Sequence, residues 1–490
     1  MALAVPKFSG YVFSFISAPV VLTGLGLRQF GIWALTGALA QYGSLLDLGV
    51  GASLARFVAA HHDDRRLCGE YLAIGWISLA VFAAIFGPAA VFGAPLLGHA
   101  LGGISTANMR IVLCASAALM CLSMATSIIA AWPMGLRRMV APNFALTIGA
   151  CINFVASVGS IALGAGLPGY ALANAGAGLV SLLVIAVVVI RAEGLIPIAS
   201  PGRRRAREFL SFSTKNQLVR MMSLVNYQTD KTVIAFAISP AAAGAYELAN
   251  RVAIAVREVG VYATSAVNIE LTALMARSGM APVRARYRRL TEVAATITFP
   301  AVILVMASGP LLLRVWLSHA PPNSTAVLVA LSAAYLVSVS TGVGYAVAQA
   351  AGEPGIVAST AVGTAVANIV LTAALAPAFG IWGVLGGTVV ALTGGAIAQV
   401  VLVQRRFGLP SSDYLDAAVP ALRVYTLFAV PVALVCYAAP IQGRAAEAFV
   451  LLLCCAAYSF ACTAWALRAG RLPAAIANRL GVTGWIRASA

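Results

Sequence analysis

The sequence predicts an all-α, polytopic membrane protein with about 14 transmembrane helices. Three observations predict this class: the chain of 490 residues is 61% hydrophobic, only 10% of its residues are charged, and its mean hydropathy is +0.93. Soluble domains carry roughly 25% charged residues, so this chain has too much apolar surface for one soluble core. Helices of about 20 apolar residues bury such surface in a bilayer.

Apolar stretches of bilayer-spanning length recur along the whole chain. The predicted spans lie at 10–28, 33–58, 71–97, 111–133, 142–164, 170–190, 213–238, 243–275, 291–317, 325–349, 355–376, 381–403, 420–440 and 446–467. The first stretch does not end in a small-residue cleavage motif, so we expect an uncleaved span and not a signal peptide. An even number of spans places both termini on the same side of the membrane.

Arginine is concentrated in every second gap between these spans. The enriched gaps contain Arg65 and Arg66; Arg137 and Arg138; Arg203, Arg204, Arg205 and Arg207; Arg284, Arg286, Arg288 and Arg289; Arg405 and Arg406. The positive-inside rule therefore predicts that these loops and both termini are cytoplasmic. The net charge of +17 follows from this distribution, so we expect no nucleic-acid partner.

The two halves of the chain resemble each other weakly at a nearly constant offset. The matches are "FGIWAL" at Phe30 with "AGAYEL" at Ala243 (offset 213), Asn153 with Asn368 (215), and Gly169 with Gly383 (214). Internal repeats of this kind are common among transporters. We therefore predict an N-lobe at 1–195, a cytoplasmic linker at 196–212, a C-lobe at 213–407, and a helix pair with a tail at 408–490. The two lobes are expected to be pseudo-symmetric, with six helices each.

The two helices that open the second half each carry charged residues along one side of a helical wheel. The stripes contain Lys215, Arg220, Asn226, Tyr227, Asp230 and Lys231 in the first helix, and Glu247, Arg251, Arg257, Glu258 and Tyr262 in the second. Charged side chains in a membrane helix face an interior or a water-filled cavity, and they mark substrate or ion pathways. Glu247 and Arg251 are one helical turn apart and are predicted to pair.

A structural interpretation of these charges stays open. Lys215 and Arg220 can extend their head groups to the cytoplasmic surface, and Asp230 with Lys231 can form a packing pair. In the first half, Asp47 in "LLDLGVG" fits a functional role and a structural hydrogen bond equally well.

The sequence contains no convincing binding motif for a cofactor, a metal or a nucleotide. "GAGLPG" from Gly164 has the spacing of a dinucleotide-binding loop, but it follows a membrane span and contains a proline. "HHDDRR" from His61 fits a solvated loop better than a metal site, and a phosphate-binding loop is absent. The eight cysteines include no C-x-x-C pair and are expected to be packing residues. We therefore expect no cofactor and no metal.

Four segments carry a resemblance to a known family. They are "FGIWALTGALAQYGSLLDLGVGASLAR", "GLRRMVAPN", "NYQTDKTVIAFAISPAAAGAYELANRV" and "AFGIWGVLGGTVVALTGG". They resemble the Wzx-type polysaccharide flippases of the multidrug/oligosaccharidyl-lipid/polysaccharide exporter superfamily. The likeness covers nearly the whole chain in the order of spans and the lengths of loops.

This resemblance implies a transporter and not an enzyme. It implies two lobes around a central cavity, alternating access, and a cargo of undecaprenyl-pyrophosphate-linked oligosaccharide moved across the bacterial inner membrane for O-antigen, exopolysaccharide or capsule synthesis. The implied partners are this lipid-linked oligosaccharide, membrane lipid, and the glycosyltransferases and polymerase of the same synthesis. By the resemblance, the anionic headgroup would be received by Lys215, Arg220, Lys231, Arg251 and Arg257.

Roles for the other stripe residues follow from the chemistry of such a cargo. Asn226, Tyr227 and Tyr262 are expected to contact sugar hydroxyls, and Asp47, Asp230, Glu247 and Glu258 are expected to form ion pairs or couple transport to an ion. Two alternatives remain: a cation-coupled drug or metabolite antiporter of the same superfamily, and a lipid II flippase. A polytopic enzyme would need a long outward loop with catalytic residues, which this pattern lacks.

Overall fold

The fold is described from a computed structural model. It describes residues 5–43, 50–102, 104–136, 138, 140–194, 198–439, 441 and 443–471. Within these ranges all regular secondary structure is helical. The helices are α1 (Val5–Gly43), α2 (Val50–Ala60), α3 (Arg65–Leu101), α4 (Thr106–Gly135), α5 (Val140–Ala162), α6 (Gly166–Glu193), α7 (Arg203–Ala237), α8 (Pro240–Ser278), α9 (Met280–Leu317), α10 (Ser324–Ser340), α11 (Gly342–Ala350), α12 (Pro354–Phe379), α13 (Ile381–Phe407), α14 (Ser411–Ala438) and α15 (Arg444–Arg468).

The predicted class, an all-α polytopic membrane protein, is confirmed. Eleven helical spans in the described part of the chain are long and apolar enough to cross a membrane, with α1 counted once and α10–α11 counted as one. Helices α7 and α8 are as long but are not among the eleven, and they carry the predicted charged stripes. Counting α1 as two segments and adding these two helices gives the 14 spans that the sequence predicts.

The first connection is shorter than predicted. The sequence predicts a gap at 29–32, but α1 continues through these residues and is broken earlier, at Gly26. Gly26 has φ 73° and ψ 162°, a conformation that residues with a side chain rarely adopt. The chain therefore changes direction at one glycine, without a loop.

The predicted internal repeat is visible in the helix bounds. Helix α5 begins at Val140 and α12 begins 214 residues later, at Pro354. Helices α6 and α13, which begin at residues 166 and 381, differ by 215. The two helix pairs are thus placed alike in the two halves of the sequence.

An interhelical hydrogen bond follows the same repeat. Asn153 Nδ2 on α5 donates to Asn174 Oδ1 on α6 at 3.1 Å. The Thr388 hydroxyl on α13 donates to Asn368 Oδ1 on α12 at 3.2 Å. Each partner in the second pair lies 214 or 215 residues after its counterpart in the first. The repeat therefore extends from helix placement to a specific contact.

Tertiary contacts divide the chain into two compact units, Met1–Glu247 and Leu248–Ala490. This division falls inside α8, so the predicted lobe boundary at the linker 196–212 stays a prediction. In the first unit, the start of α7 packs into an aromatic cluster through Phe209, which contacts Phe57 and Tyr71. An ion pair between Arg205 and Glu70 joins the same end of α7 to α3.

Candidate site on helices α7 and α8

Helices α7 and α8 form a hairpin whose short turn sets their register. Helix α7 ends at Ala237 and α8 begins at Pro240, so only Ile238 and Ser239 lie between them. The Ser239 hydroxyl accepts a hydrogen bond from the backbone N–H of Ala242 at 3.1 Å and caps α8. Proline fits the first helical position because its missing N–H would have no partner there. Residues near the end of α7 consequently face residues a similar distance into α8.

Two consecutive residues of α7 pair with two consecutive residues of α8, and we call these four residues the α7–α8 ladder. The Tyr246 hydroxyl donates to Asp230 Oδ2 at 2.5 Å, and Lys231 Nζ lies 2.8 Å from Glu247 Oε2. Asp230, Lys231 and Tyr246 are buried, and the Glu247 side chain is 13% exposed. Burying an ion costs several kcal/mol unless a partner compensates it. The ladder supplies that partner for both the acid and the base.

The turn of α7 before the ladder is also polar. Asn226 and Gln228 are buried, and Tyr227 is half-buried. The Gln228 side-chain amide donates to Gln41 Oε1 on α1 at 2.8 Å. The polar segment 226–231 is therefore held by α1 as well as by α8.

Helix α1 approaches α8 through two glycines, a contact we call the glycine crossing. A Cβ atom on Gly31 would lie 1.7 Å from the Pro240 carbonyl oxygen, and one on Gly244 would lie 2.6 Å from that of Leu27. Small residues allow this close approach of membrane helices. Gly31 and Gly244 are equivalent at the offset of 213, and so are Leu27 and Pro240. The contact of Gly31 with Pro240 is therefore repeated, at equivalent positions, by the contact of Gly244 with Leu27.

From Leu248 onward, α8 belongs to the second unit and continues the charged stripe. Arg257 Nη1 lies 3.0 Å from Glu258 Oε1. The Arg257 guanidinium carbon lies 5.7 Å from the centre of the Tyr335 ring on α10, within range of a cation–π interaction. The Tyr335 hydroxyl donates to Asn250 Oδ1 at 3.1 Å. Helix α10 thus orients the polar face of α8 in this unit.

The remaining predicted site residues are placed with less detail. Arg251 is half-buried, and Tyr262 is 41% exposed. Lys215 and Arg220 belong to α7, but their side chains lie outside the described part of the chain. Asp47 lies outside the described residues altogether. The roles assigned to these five residues stay predictions, as do those of all the other predicted site residues.

The sequence pattern missed two tyrosines and one pairing. Glu247 contacts Lys231 across the hairpin, whereas the sequence suggested Arg251 on its own helix, and that second pairing stays a prediction. Tyr246 and Tyr335, the hydrogen-bond partners of Asp230 and Asn250, were not candidates. The two-residue turn could have identified Tyr246 as the partner of Asp230, because such a turn places residues that are 16 apart in sequence opposite each other.

Comparison with known proteins identifies one family and one fold. The sequence model of the family described as "Polysaccharide biosynthesis protein" matches residues 1–269, more than half of the chain. No curated protein sequence is significantly similar to this chain.

Several solved structures share the fold. The lipid II flippase MurJ in an inward closed conformation matches with a TM-score of 0.71 and 13% sequence identity, covering 94% of this chain and 98% of that chain. A multidrug resistance MATE family transporter matches in its inward-facing conformation with a TM-score of 0.65 and 16% identity, covering 83% and 97%. A multidrug resistance MATE family transporter in an outward-facing conformation gives a TM-score of 0.56 and 15% identity, covering 83% and 94%. At these identities the likeness establishes the fold alone.

Proposed function

The chain belongs to the polysaccharide biosynthesis protein family, and from this premise we propose that it is a flippase for lipid-linked oligosaccharides. Its cargo would be undecaprenyl-pyrophosphate-linked repeat units, moved across the bacterial inner membrane by alternating access. Glycosyltransferases would supply the cargo on the cytoplasmic side, and a polymerase would consume it on the other side. The product would be a surface polysaccharide such as O-antigen, exopolysaccharide or capsule.

The family and the fold support a lipid-linked cargo. The family description names polysaccharide biosynthesis, and a protein that flips lipid II shares the fold over 94% of this chain. The MATE transporters match over 83%. Because the family description names polysaccharide biosynthesis, a lipid-linked cargo is preferred to the drug of an antiporter.

The observation that carries the proposal is that the α7–α8 ladder has no charged counterpart in the first half. At the offset of 213, the equivalent positions are Ser17, Ala18, Trp33 and Ala34. The repeated helical hairpin therefore forms without an acid and a base at these positions. Replacing a buried ion pair by apolar residues is often neutral or stabilising, so stability alone does not account for the ladder. Interaction with a charged cargo would account for it.

The bases of α7 and α8 suit a pyrophosphate. Lysine and arginine make charge-assisted hydrogen bonds to phosphate oxygens, and arginine can do so with two parallel donors. Lys231 and Arg257 each hold an acid at 2.8 Å and 3.0 Å. A pyrophosphate would compete with Glu247 and Glu258 for these bases, which limits the affinity and allows release. A displaced carboxylate would offer a route for coupling transport to a proton.

The other candidates take parts that fit their chemistry. Arg251, together with Lys215 and Arg220, would extend the cationic surface along the two helices. Asn226, Tyr227 and Tyr262 would hydrogen-bond sugar hydroxyls, because amides and phenols can both donate and accept. Asp47 and Asp230 would balance the positive charge.

A transport assay with purified protein in liposomes tests the proposal. The substrates are a fluorescent polyprenyl-pyrophosphate oligosaccharide, lipid II, and a cationic dye with an imposed proton gradient. Translocation of the oligosaccharide lipid is the expected result. Transport of lipid II alone would support the second candidate, a lipid II flippase, and transport of the dye alone would refute both.

The role of the ladder is tested in the same liposomes. Lys231→Ala is expected to abolish transport of the oligosaccharide lipid, while Arg468→Ala, which removes an exposed base at the end of α15, should leave it intact. Unchanged transport by Lys231→Ala would remove the ladder from the substrate path.

A further inference from the structure

Two open grooves run along either side of α13 in the half of that helix nearest Arg405. The first lies against α12, has a volume of about 500 Å³, and is lined on α13 by Val390, Gly394, Ala398 and Leu402 among others. The second lies against α10 and α14, has a volume of about 250 Å³, and is lined on α13 by residues that include Ile397, Val401 and Gln404. Neither groove belongs to the α7–α8 site.

The walls of the larger groove behave as an apolar surface. Its hydroxyl groups are satisfied inside their own helix: Ser359 donates to the Ile356 carbonyl at 2.9 Å, and Thr364 donates to the Thr360 carbonyl at 2.8 Å. A membrane-exposed groove of this kind holds hydrocarbon more readily than a polar ligand. From Val390 to Leu402 it is roughly 18 Å long at 1.5 Å per residue. That length is close to half the thickness of the hydrocarbon core of a bilayer, about 15 Å.

Glycines keep the larger groove open. A Cβ atom on Gly363 or Gly394 would meet no other atom within 4 Å, so helix packing does not require a glycine at either position. In the first half of the chain, the equivalents of Gly394 and Ala398 at the offset of 214 are Val180 and Val184. The first copy of the repeat therefore has valines at the two positions where the second copy has a glycine and an alanine.

On α13, the last residues that line the two grooves are Leu402 and Gln404, and both come within three residues of an exposed cation, Arg405. On a wheel of 100° per residue with Gly394 at 0°, Ala398 lies at about 40°, Val401 at about −20° and Arg405 at about 20°. The direction of Arg405 thus lies between those of Ala398, which lines the first groove, and Val401, which lines the second; Arg405 is two turns after Ala398 and one turn after Val401. Its neighbour Arg406 is bound to Glu353 at 2.7 Å, whereas Arg405 is exposed and has no acidic partner among the described residues.

From this arrangement we infer that α13 binds one anionic diacyl phospholipid, with one acyl chain in each groove and the phosphate at Arg405. Two grooves that converge on a cation match a lipid with two chains and one anionic head. A single polyprenyl chain would occupy only one of the grooves. By the predicted orientation, the site faces the cytoplasmic leaflet, where anionic headgroups attract basic residues. The inference does not depend on the cargo proposed above.

The test is a lipid titration of the purified full-length chain. The protein is delipidated in detergent and titrated with phosphatidylglycerol, phosphatidylcholine or polyprenyl phosphate. Bound lipid is counted by native mass spectrometry, and the melting temperature is followed by tryptophan fluorescence. Wild type is expected to bind one phosphatidylglycerol in preference to phosphatidylcholine, with a saturable rise in melting temperature.

Two variants remove the two parts of the site. The double variant Gly394→Val with Ala398→Val places the first-half residues in the larger groove and is expected to lose the bound phospholipid. Gly386→Val on the same helix is its matched control, because a Cβ there also meets nothing within 4 Å and does not line the groove. Gly386→Val should bind as wild type does.

Arg405→Gln tests the charge at an exposed position. It is expected to weaken phosphatidylglycerol binding on the order of tenfold, as for one lost charge-assisted contact, and to remove the preference over phosphatidylcholine. Its repeat equivalent Arg191 is also exposed, and Arg191→Gln should change neither. Equal binding of the two phospholipids by wild type, retention of lipid by the filled groove, or binding of polyprenyl phosphate alone would overturn the inference.

Discussion

The contact between Lys231 and Glu247 should behave as a strongly coupled pair. At 2.8 Å between Nζ and Oε2, the Coulomb attraction at an effective dielectric constant of 20 is about 6 kcal/mol. Desolvation of the two charges offsets most of this attraction, so the net value of the intact pair is small. Removing one partner is different, because it leaves the other ion in an interior where Lys231 is only 5% exposed.

We therefore expect Glu247→Gln and Lys231→Gln each to lower the free energy of unfolding by about 3–5 kcal/mol. The double variant should lose less than the sum, with a coupling energy of about 2–3 kcal/mol. The assay is equilibrium unfolding by sodium dodecyl sulfate in mixed micelles, with transport measured in parallel. The double variant should lose less stability than the sum of the two single variants, and it should not recover transport, because it has no cation for the headgroup.

An exposed arginine serves as the control for this cycle. Arg288 and Glu292 lie one turn apart on α9 at 3.4 Å, with the arginine side chain 54% exposed and the glutamate side chain 14% exposed. Neutralising Arg288 should cost less than about 1 kcal/mol, because the arginine reaches solvent and Glu292 keeps Arg289 as a second partner at 3.2 Å. Strictly additive losses at Lys231 and Glu247 would show that they do not act together. Recovered transport in the double variant would contradict the proposed role of the lysine.

Three further predictions concern other parts of the chain. Gly31→Ala should reduce folded protein and transport, because its Cβ would overlap a carbonyl oxygen of α8, whereas Gly37→Ala on the same helix meets open space and should be neutral or slightly stabilising. A periplasm-active reporter fused after Arg207 should give no signal and one fused after Asn323 should give a strong one; the reverse would invert the predicted topology. Arg251→Lys should retain part of the export that Arg251→Ala loses, since a point charge still attracts phosphate without bidentate geometry; equal export by both, at matched protein abundance, would count against phosphate binding there.

The sequence was sufficient for the class of the fold because bilayer-spanning helices are a property of composition and length. It also revealed the repeat, since duplicated helices keep their spacing even when few residues are alike. The break between the first two predicted spans, at about 29–32, lies a few residues later than in the structure, because one glycine in α1, Gly26, makes a break that hydropathy cannot distinguish from a loop.

The site was predicted less completely. Periodicity shows which side of a helix is polar but not which neighbouring helix that side faces. The sequence therefore predicts Arg251, one turn away on α8, as the partner of Glu247. The structure places Lys231 there from α7, and it brings Tyr246 to Asp230. A tyrosine hydroxyl adds little to a hydropathy pattern, which is why only the register of the hairpin could have identified it.

The glycine crossing bears on how such a chain arose. In a homodimer with two-fold symmetry, one patch meets the same patch of the partner, so residue i contacts j while j contacts i. Gly31 with Pro240 and Gly244 with Leu27 reproduce that pattern within one polypeptide. An ancestor with half the number of helices could have paired through this segment before its gene was duplicated and fused. Once fused, the two copies of the segment could diverge separately, and only then could one copy acquire an acid and a base while the other kept uncharged residues.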